Sequence, residues 1–197
     1  MNPDRRVKIS KYLSYHLRHR PEKIGLTLRS GGWANVAELL AAAKKHQFSI
    51  KDWELKEVVA TNDKQRFSFD AMGTCIRANQ GHSIPIDLEL EPIVPPARLY
   101  HGTHTHAVAS ISQEGLRKMQ RHHVHLSEDI KTACQVGRRR GKPIVFEIDA
   151  ATMHQQGYPF YRSQNGVWLV DCVPPKFLQN TVENSRDTQI PDRPQED

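Results

Sequence analysis

Residues 13–28, LSYHLRHRPEKIGLTL, carry Arg18, His19 and Arg20 to the end of a helix-patterned stretch that Pro21 then stops. Cationic donors gathered at one point suit a phosphate, because guanidinium groups present paired N–H donors to its oxygens. Arg66 in NDKQRF and the run Arg138-Arg139-Arg140 in QVGRRRGKP would complete an anion receptor if folding brings them together. A local explanation competes at each position. Arg and His near a helix C-terminus also serve the bare carbonyls and the helix dipole, and three consecutive arginines project in different directions, as on a solvated basic surface.

Eleven histidines are many for this length, and two clusters hold six of them: His101, His104 and His106 in HGTHTH, and His122, His123 and His125 in HHVH. A catalytic zinc site takes three protein ligands and keeps one position open. Neither cluster matches HExxH or carries a carboxylate at ligand spacing, so metal ligation is the weaker reading and no metal is expected. His104, His106, His122 and His123 read most simply as exposed loop residues. His101 and His125 differ, since each lies at the end of a predicted strand, followed by Gly102-Thr103 and Leu126-Ser127. Tyr100-His101-Gly102-Thr103 offers a donor ring, a residue that permits close backbone approach, and a hydroxyl, which suits a ribose or a diphosphate. No GxGxxG, Walker loop or GxSxG occurs.

The elements that must position these groups fall into two sets. Ile9, Leu13 and Leu17 recur every four residues, with Tyr12 and His16 beside them, and predict a helix. Asn35 with Glu38 resembles a capping box ahead of VAELLAAAKKH, and Ser49 with Asp52 repeats the signal ahead of WELKEVVA. QRFSFD, the turn AMG and TCIRANQG read as a hairpin. Three helices and a hairpin suggest a winged helix over residues 1–94. PIDLELEPIVPPA, with Pro85, Pro92, Pro95 and Pro96, reads as a linker. Beyond it RLYHGT, HVHLS, KPIVFEID and GVWLVDCV alternate with the helical candidates THAVASISQEGL and DIKTACQVG, an α+β lobe over residues 95–180. Gly115 is placed to cap the first of those helices, and Asn165-Gly166 marks a hairpin turn.

The formal charge of +6 is unevenly spread: residues 1–29 hold eight basic and two acidic side chains, and residues 181–197 hold two against five. The acidic tail offers no apolar face and is expected to be disordered, whereas the basic body favours a polyanion. Cys75, Cys134 and Cys172 form no CxxC pair, which fits a reducing, cytoplasmic setting. No apolar signal core or membrane-spanning run is present.

Taken in order, LSYHLRHRPEKIGL, GGW, NDKQRF, LYHGT, HVHLS, GRRRGKP and NGVWLVDCVPPKF resemble the NAD-dependent RNA 2′-phosphotransferase family, over roughly residues 8–180. The resemblance implies a winged-helix lobe followed by an ADP-ribosyltransferase-like lobe, with a monomer acting on 2′-phosphorylated RNA such as tRNA. It implies that the RNA 2′-phosphate attacks the anomeric carbon of the nicotinamide ribose, expelling nicotinamide and leaving an ADP-ribosylated phosphate. The adjacent ribose hydroxyl then attacks phosphorus, releasing 2′-hydroxyl RNA and ADP-ribose 1″,2″-cyclic phosphate. Arg18, His19 and Arg66 correspond to the phosphate-holding set, and Arg139 to the arginine that serves the second step. His101, Gly102, Thr103, His125 and Ser127 are implied to line the NAD pocket. Arg140 departs from the His that many relatives carry there.

Three other readings predict different behaviour. A winged-helix regulator with a nucleotide-sensing lobe would bind duplex DNA without turnover. Against it, WELKEVVATNDKQ places Glu54, Glu57 and Asp63 where a recognition helix wants basic residues. A histidine-metal phosphoesterase would fail in chelator. An ADP-ribosyltransferase acting on other acceptors would stop after the first step.

Overall fold

In the computed structural model of the chain, residues 1–62 and 64–180 are described, and the acidic tail at 181–197 lies outside them. The apolar stripe near the N-terminus forms α1 (Pro3–Arg18), which begins where Asn2 Oδ1 accepts the Asp4 N–H at 2.9 Å. Ile9, Leu13 and Leu17 are fully buried along it. The helix stops at Arg18 because His19 leaves helical geometry, with φ −128° and ψ −42°, and the chain re-forms as a 3-10 turn only at Pro21–Ile24. Arg18 and His19 therefore stand at a break in the backbone.

In α2 (Val36–Lys45) the expected cap is found, with Asn35 Oδ1 accepting the Glu38 N–H at 3.1 Å. The signal at Ser49 gives way to another arrangement. α3 (Asp52–Ala60) starts after Lys51, whose N–H donates to the Glu54 carboxylate at 2.9 Å. That carboxylate also receives Arg5 Nε of α1 at 2.9 Å, and the pairing holds Glu54 down to about 2. Glu54 thus locks α3 to α1, so its acidity is spent inside the protein. The hairpin forms as β2 (Phe67–Phe69) and β3 (Cys75–Ala78), joined by β1 (Ala34–Asn35) in an antiparallel sheet of order β1-β3-β2. Helices and sheet share one core, with Leu39, Leu55, Val58, Phe67 and Ile76 packed on the α1 stripe.

A second core gathers Leu99, Leu126, Phe146, Ile148, Met153, Phe160 and Trp168. Around it β4 (Arg98–His104) pairs antiparallel along its length with β7 (Pro143–Asp149), and β11 (Leu178–Asn180) adds to the far edge of β7. A second sheet orders β6 (Val124–Leu126), β9 (Trp168–Val170) and β8 (Tyr161–Arg162), with Gly166 at φ 77° in the turn between β8 and β9. β5 (Leu116–Arg117) pairs with β10 (Cys172–Val173). α4 (Val108–Glu114) ends at Gly115, φ 78°, as its sequence indicates. α6 (Ala150–Gln155), for which KPIVFEID gives no turn signal, starts directly from the strand because Asp149 Oδ1 accepts the Thr152 N–H at 3.1 Å.

Two features of this half bear on the site. Tyr100 and Ser127 exchange backbone hydrogen bonds of 2.9 and 2.8 Å, which brings β4 alongside the end of β6. α5 (Ile130–Gly137) lies on β4 at backbone contact: an added Cβ at Gly102 would sit 1.6 Å from the Ala133 carbonyl oxygen, and one at Gly137 would sit 2.5 Å from that of Thr103.

Candidate active site

Arg18 projects from the last turn of α1 over the Phe67 ring, 5.9 Å from its centroid, and its Nη2 donates to the Arg66 carbonyl at 3.5 Å. Its Nε is buried without a partner. Burial, and then the nearby charges of Arg66 and Arg121, lower its pKa from 12.5 to about 10. His19 is lowered as well, by burial and then by Arg18, Arg121 and Arg20. A cation kept where its surroundings oppose it is poised for an incoming anion.

The loop after β3, residues 79–83 (NQGHS), threads between these groups and fixes them. The Ser83 N–H donates to the Arg18 carbonyl at 3.0 Å, and the Asn79 N–H to that of Arg66 at 2.9 Å. Ser83 Oγ lies 2.9 Å from His19 Nδ1. Gly81, at φ 86°, passes beside the guanidinium, where an added Cβ would come within 3.7 Å of Arg18 Nη1. His82 is 1% exposed, neither ring nitrogen has a hydrogen-bond partner among the described residues, and burial with the surrounding cations pushes it down to about 3. The sequence pattern assigns Asn79, Gln80 and Gly81 to the hairpin segment TCIRANQG, whereas β3 ends at Ala78 and these residues turn into the loop. Gly81 between polar residues was the available signal.

Across the cleft His101 Nδ1 donates to the His125 carbonyl at 3.0 Å, which leaves His101 Nε2 as an acceptor. His125 Nε2 donates to Gln80 Oε1 at 2.8 Å, a hydrogen bond from the second half of the chain to the NQGHS loop of the first. Burial lowers both histidines, His125 to about 3, so that both are neutral near pH 7. Thr103 is buried on β4, and Ser127 sits where β4 and β6 meet. The close approach expected at Gly102 is made by α5, whose Ala133 carbonyl fills the space a side chain would need.

The structure brings Arg18, His19 and Arg66 together and sets His101 and His125 near them, with Thr103 two residues on from His101 along β4 and Ser127 at the bridge to Tyr100. Arg139 is exposed on the 3-10 turn that follows α5 and packs against β4, with no hydrogen bond or ion pair among the described residues. The arginine whose charge acts on Arg18, His19, His101 and His125 is Arg121. It directly precedes the HHVH cluster, where attention to histidines hid it. His122 is half-buried, its ring 6.5 Å from that of His82, and His123 lies 5.5 Å from Tyr161, so neither is a free loop residue. Among the described residues no group of three or more His, Cys, Asp or Glu is arranged to hold a metal ion.

Neutral histidines and hydroxyls beside concentrated positive charge make a site for moving an anionic group, and the class that comparison supplies is a transferase. The family model for RNA 2′-phosphotransferase, the Tpt1/KptA family, matches residues 4–172. A probable RNA 2′-phosphotransferase of Nostoc punctiforme is 62% identical over 179 residues, which cover 91% of this chain and 99% of that relative. Proteins of the same description from Trichormus variabilis and Streptomyces griseus are 58% and 55% identical, each over 90% of this chain and 98% of the relative. The chain belongs to the RNA 2′-phosphotransferase family.

Proposed function

We propose that the protein removes an internal 2′-phosphate from RNA, such as one left at a tRNA splice junction, by transferring it to NAD. The observation that carries this reading is Arg18, held in its charged form at the break after α1 with Arg66, Arg121 and His19 around it. Arg18 and Arg66 receive the phosphate, and its arrival turns mutual repulsion among cations into shared attraction. His19 gains affinity for a proton once that dianion is beside it and hydrogen-bonds the phosphate. We place stabilisation of the phosphorane-like transition state on Arg139, carried on the turn that packs against β4, with Arg121, electrostatically coupled to both sides of the cleft, adding to the positive charge.

The residues opposite fit NAD. His101 Nε2 is an unspent acceptor for a ribose hydroxyl, and no side-chain hydrogen bond among the described residues uses the Thr103 or Ser127 hydroxyls. NAD supplies an anomeric carbon from which nicotinamide departs as the phosphate attacks, and a neighbouring hydroxyl for the second displacement. The products are 2′-hydroxyl RNA, nicotinamide and ADP-ribose 1″,2″-cyclic phosphate.

In this reading residues 1–94 form a winged-helix lobe that presents phosphate-binding groups, and residues 95–180 an ADP-ribosyltransferase-like lobe that holds NAD. The two separate cores support the division. The free thiols of Cys75, Cys134 and Cys172 support a cytoplasmic setting. The test is to incubate protein, chelator and NAD with a short RNA bearing one internal 2′-phosphate and to resolve products by mass. Appearance of 2′-hydroxyl RNA with ADP-ribose cyclic phosphate is expected. Intact RNA with no nicotinamide released would overturn the assignment.

A further inference from the structure

Beside the cation cluster the two halves of the chain enclose a pair of adjoining grooves, of about 420 and 400 Å³. Gln65 and Gln164 line both. Gln65 comes from the loop that carries Arg66, and Gln164 from the turn between β8 and β9, which Asn165 Nδ2 ties to the Lys64 carbonyl at 2.9 Å. One groove is otherwise walled by polar groups of residues 162–166, and the other is bordered by the half-buried Phe69 and by Phe67, whose own ring is buried in the core. Phe67 is the ring over which Arg18 lies. Through Gln65, which directly precedes Arg66, the grooves adjoin the loop that carries part of the cation cluster.

The chemistry of the lining selects what enters. Arg162 is already neutralised by Glu128 at 2.9 Å and lies over the Trp168 ring at 5.6 Å, so the polar groove exerts little pull on a second phosphate. The carboxamides of Gln65 and Gln164 are exposed and make no hydrogen bond among the described residues, leaving donors and acceptors uncommitted. The Gln65 backbone is held in the left-handed region, φ 41°, by its own N–H to the Asn62 carbonyl at 2.7 Å and by Asn79 Nδ2 on its carbonyl at 2.6 Å. A non-glycine residue fixed there implies that its position is imposed by the loop. Paired amides beside the half-buried Phe69 ring match an unstacked nucleobase, which stacks on rings and offers its edge to side-chain amides.

We propose that Gln65 and Gln164 form a seat for the nucleobase next to the 2′-phosphorylated nucleotide, one amide from each half of the chain. The inference rests on the RNA substrate proposed above. Its consequence is that turnover depends on the neighbouring base, not only on the phosphate.

The experiment measures kcat/KM on 2′-phosphorylated hexaribonucleotides in which the base on either side of the modified nucleotide is natural or abasic. The unaltered protein should prefer a natural base on one side by about tenfold, within the range of a good amide–base pair. Gln164→Ala, and Gln65→Asn, which shortens the reach but tolerates the left-handed backbone, should each bring that ratio close to one. Both variants should act on the abasic RNA as the unaltered protein does. Equal rates of the unaltered protein on natural and abasic RNA, or a preference that survives in both variants, would overturn the seat while leaving the phosphotransferase reading intact. Absence of turnover on every RNA by the unaltered protein would overturn that reading, and the seat with it.

Discussion

Replacing Arg18 by Met should make the protein more stable and nearly inactive. The drop in its pKa from 12.5 to about 10 corresponds to about 3 kcal/mol of opposition to the charged form, at about 1.4 kcal/mol per pH unit. The sign follows from a base whose folded pKa is depressed. Below about pH 10 both states keep the proton but the folded state binds it less tightly, so the penalty is fully present at neutral pH and disappears only as pH rises from about 10 toward 12.5. Met fills a similar volume over Phe67 without the charge, but forfeits the Phe67 contact and the long bond to the Arg66 carbonyl. Those losses, together about 1–2 kcal/mol, leave a net gain of about 1–2 kcal/mol. In a chain of this size that raises Tm by about 2–8 °C. Calorimetry reads the shift directly, and kcat/KM on 2′-phosphorylated RNA should fall by at least about a hundredfold. Inorganic phosphate should raise the Tm of the unaltered protein and leave that of Arg18→Met unmoved. A lower Tm for the variant, with phosphate stabilising both proteins alike, would refute the idea that Arg18 is a cation held in reserve for an anion.

Arg121→Ala and Arg139→Ala should each cost at least about a hundredfold in kcat, and Arg139→Ala should in addition accumulate ADP-ribosylated RNA; single-turnover reactions on the same RNA, resolved by mass, read both effects. His19 should titrate below the ordinary histidine range in the free protein, because burial and Arg18 oppose its proton, and should move upward when phosphate binds. Histidine-selective NMR follows both steps, and an unchanged titration in phosphate would remove His19 from the anion site. Gly102→Ala would drive a methyl into the Ala133 carbonyl at 1.6 Å, costing about 3 kcal/mol or more, seen as a lower denaturant midpoint. Unaltered stability would show that α5 can lift from β4.

Local chemistry made much of this legible from sequence. The α1 stripe, the Asn35 cap, the hairpin and the Asn165-Gly166 turn each depend on residues within a few positions, and each formed as its pattern indicates. Arg18 and His19 were legible because a proline-bounded helix end concentrates charge. What escaped depends on distance in the chain. Ser83 matters through a hydrogen bond to Arg18, and Gln80 through one to His125. Ser49 lost its expected cap role because Arg5, from another helix, draws Glu54 into the start of α3. Arg121 escaped because its significance lies in which charges surround it.

The contact of α5 with β4 runs backbone to backbone, with no side chain between them at Gly102 or Gly137. Such a joint has no adjustable part. Drift in sequence elsewhere in the core can be absorbed by trading one side chain's bulk against another's, but here there is nothing to trade, so strand and helix must be inherited as one piece. A chimera that takes β4 from one relative and α5 from another is therefore safe only where both glycines are kept. Any retuning of the pocket bearing His101 and Thr103 must come from the loops around it, leaving the strand as a fixed ruler against which the chemistry is set.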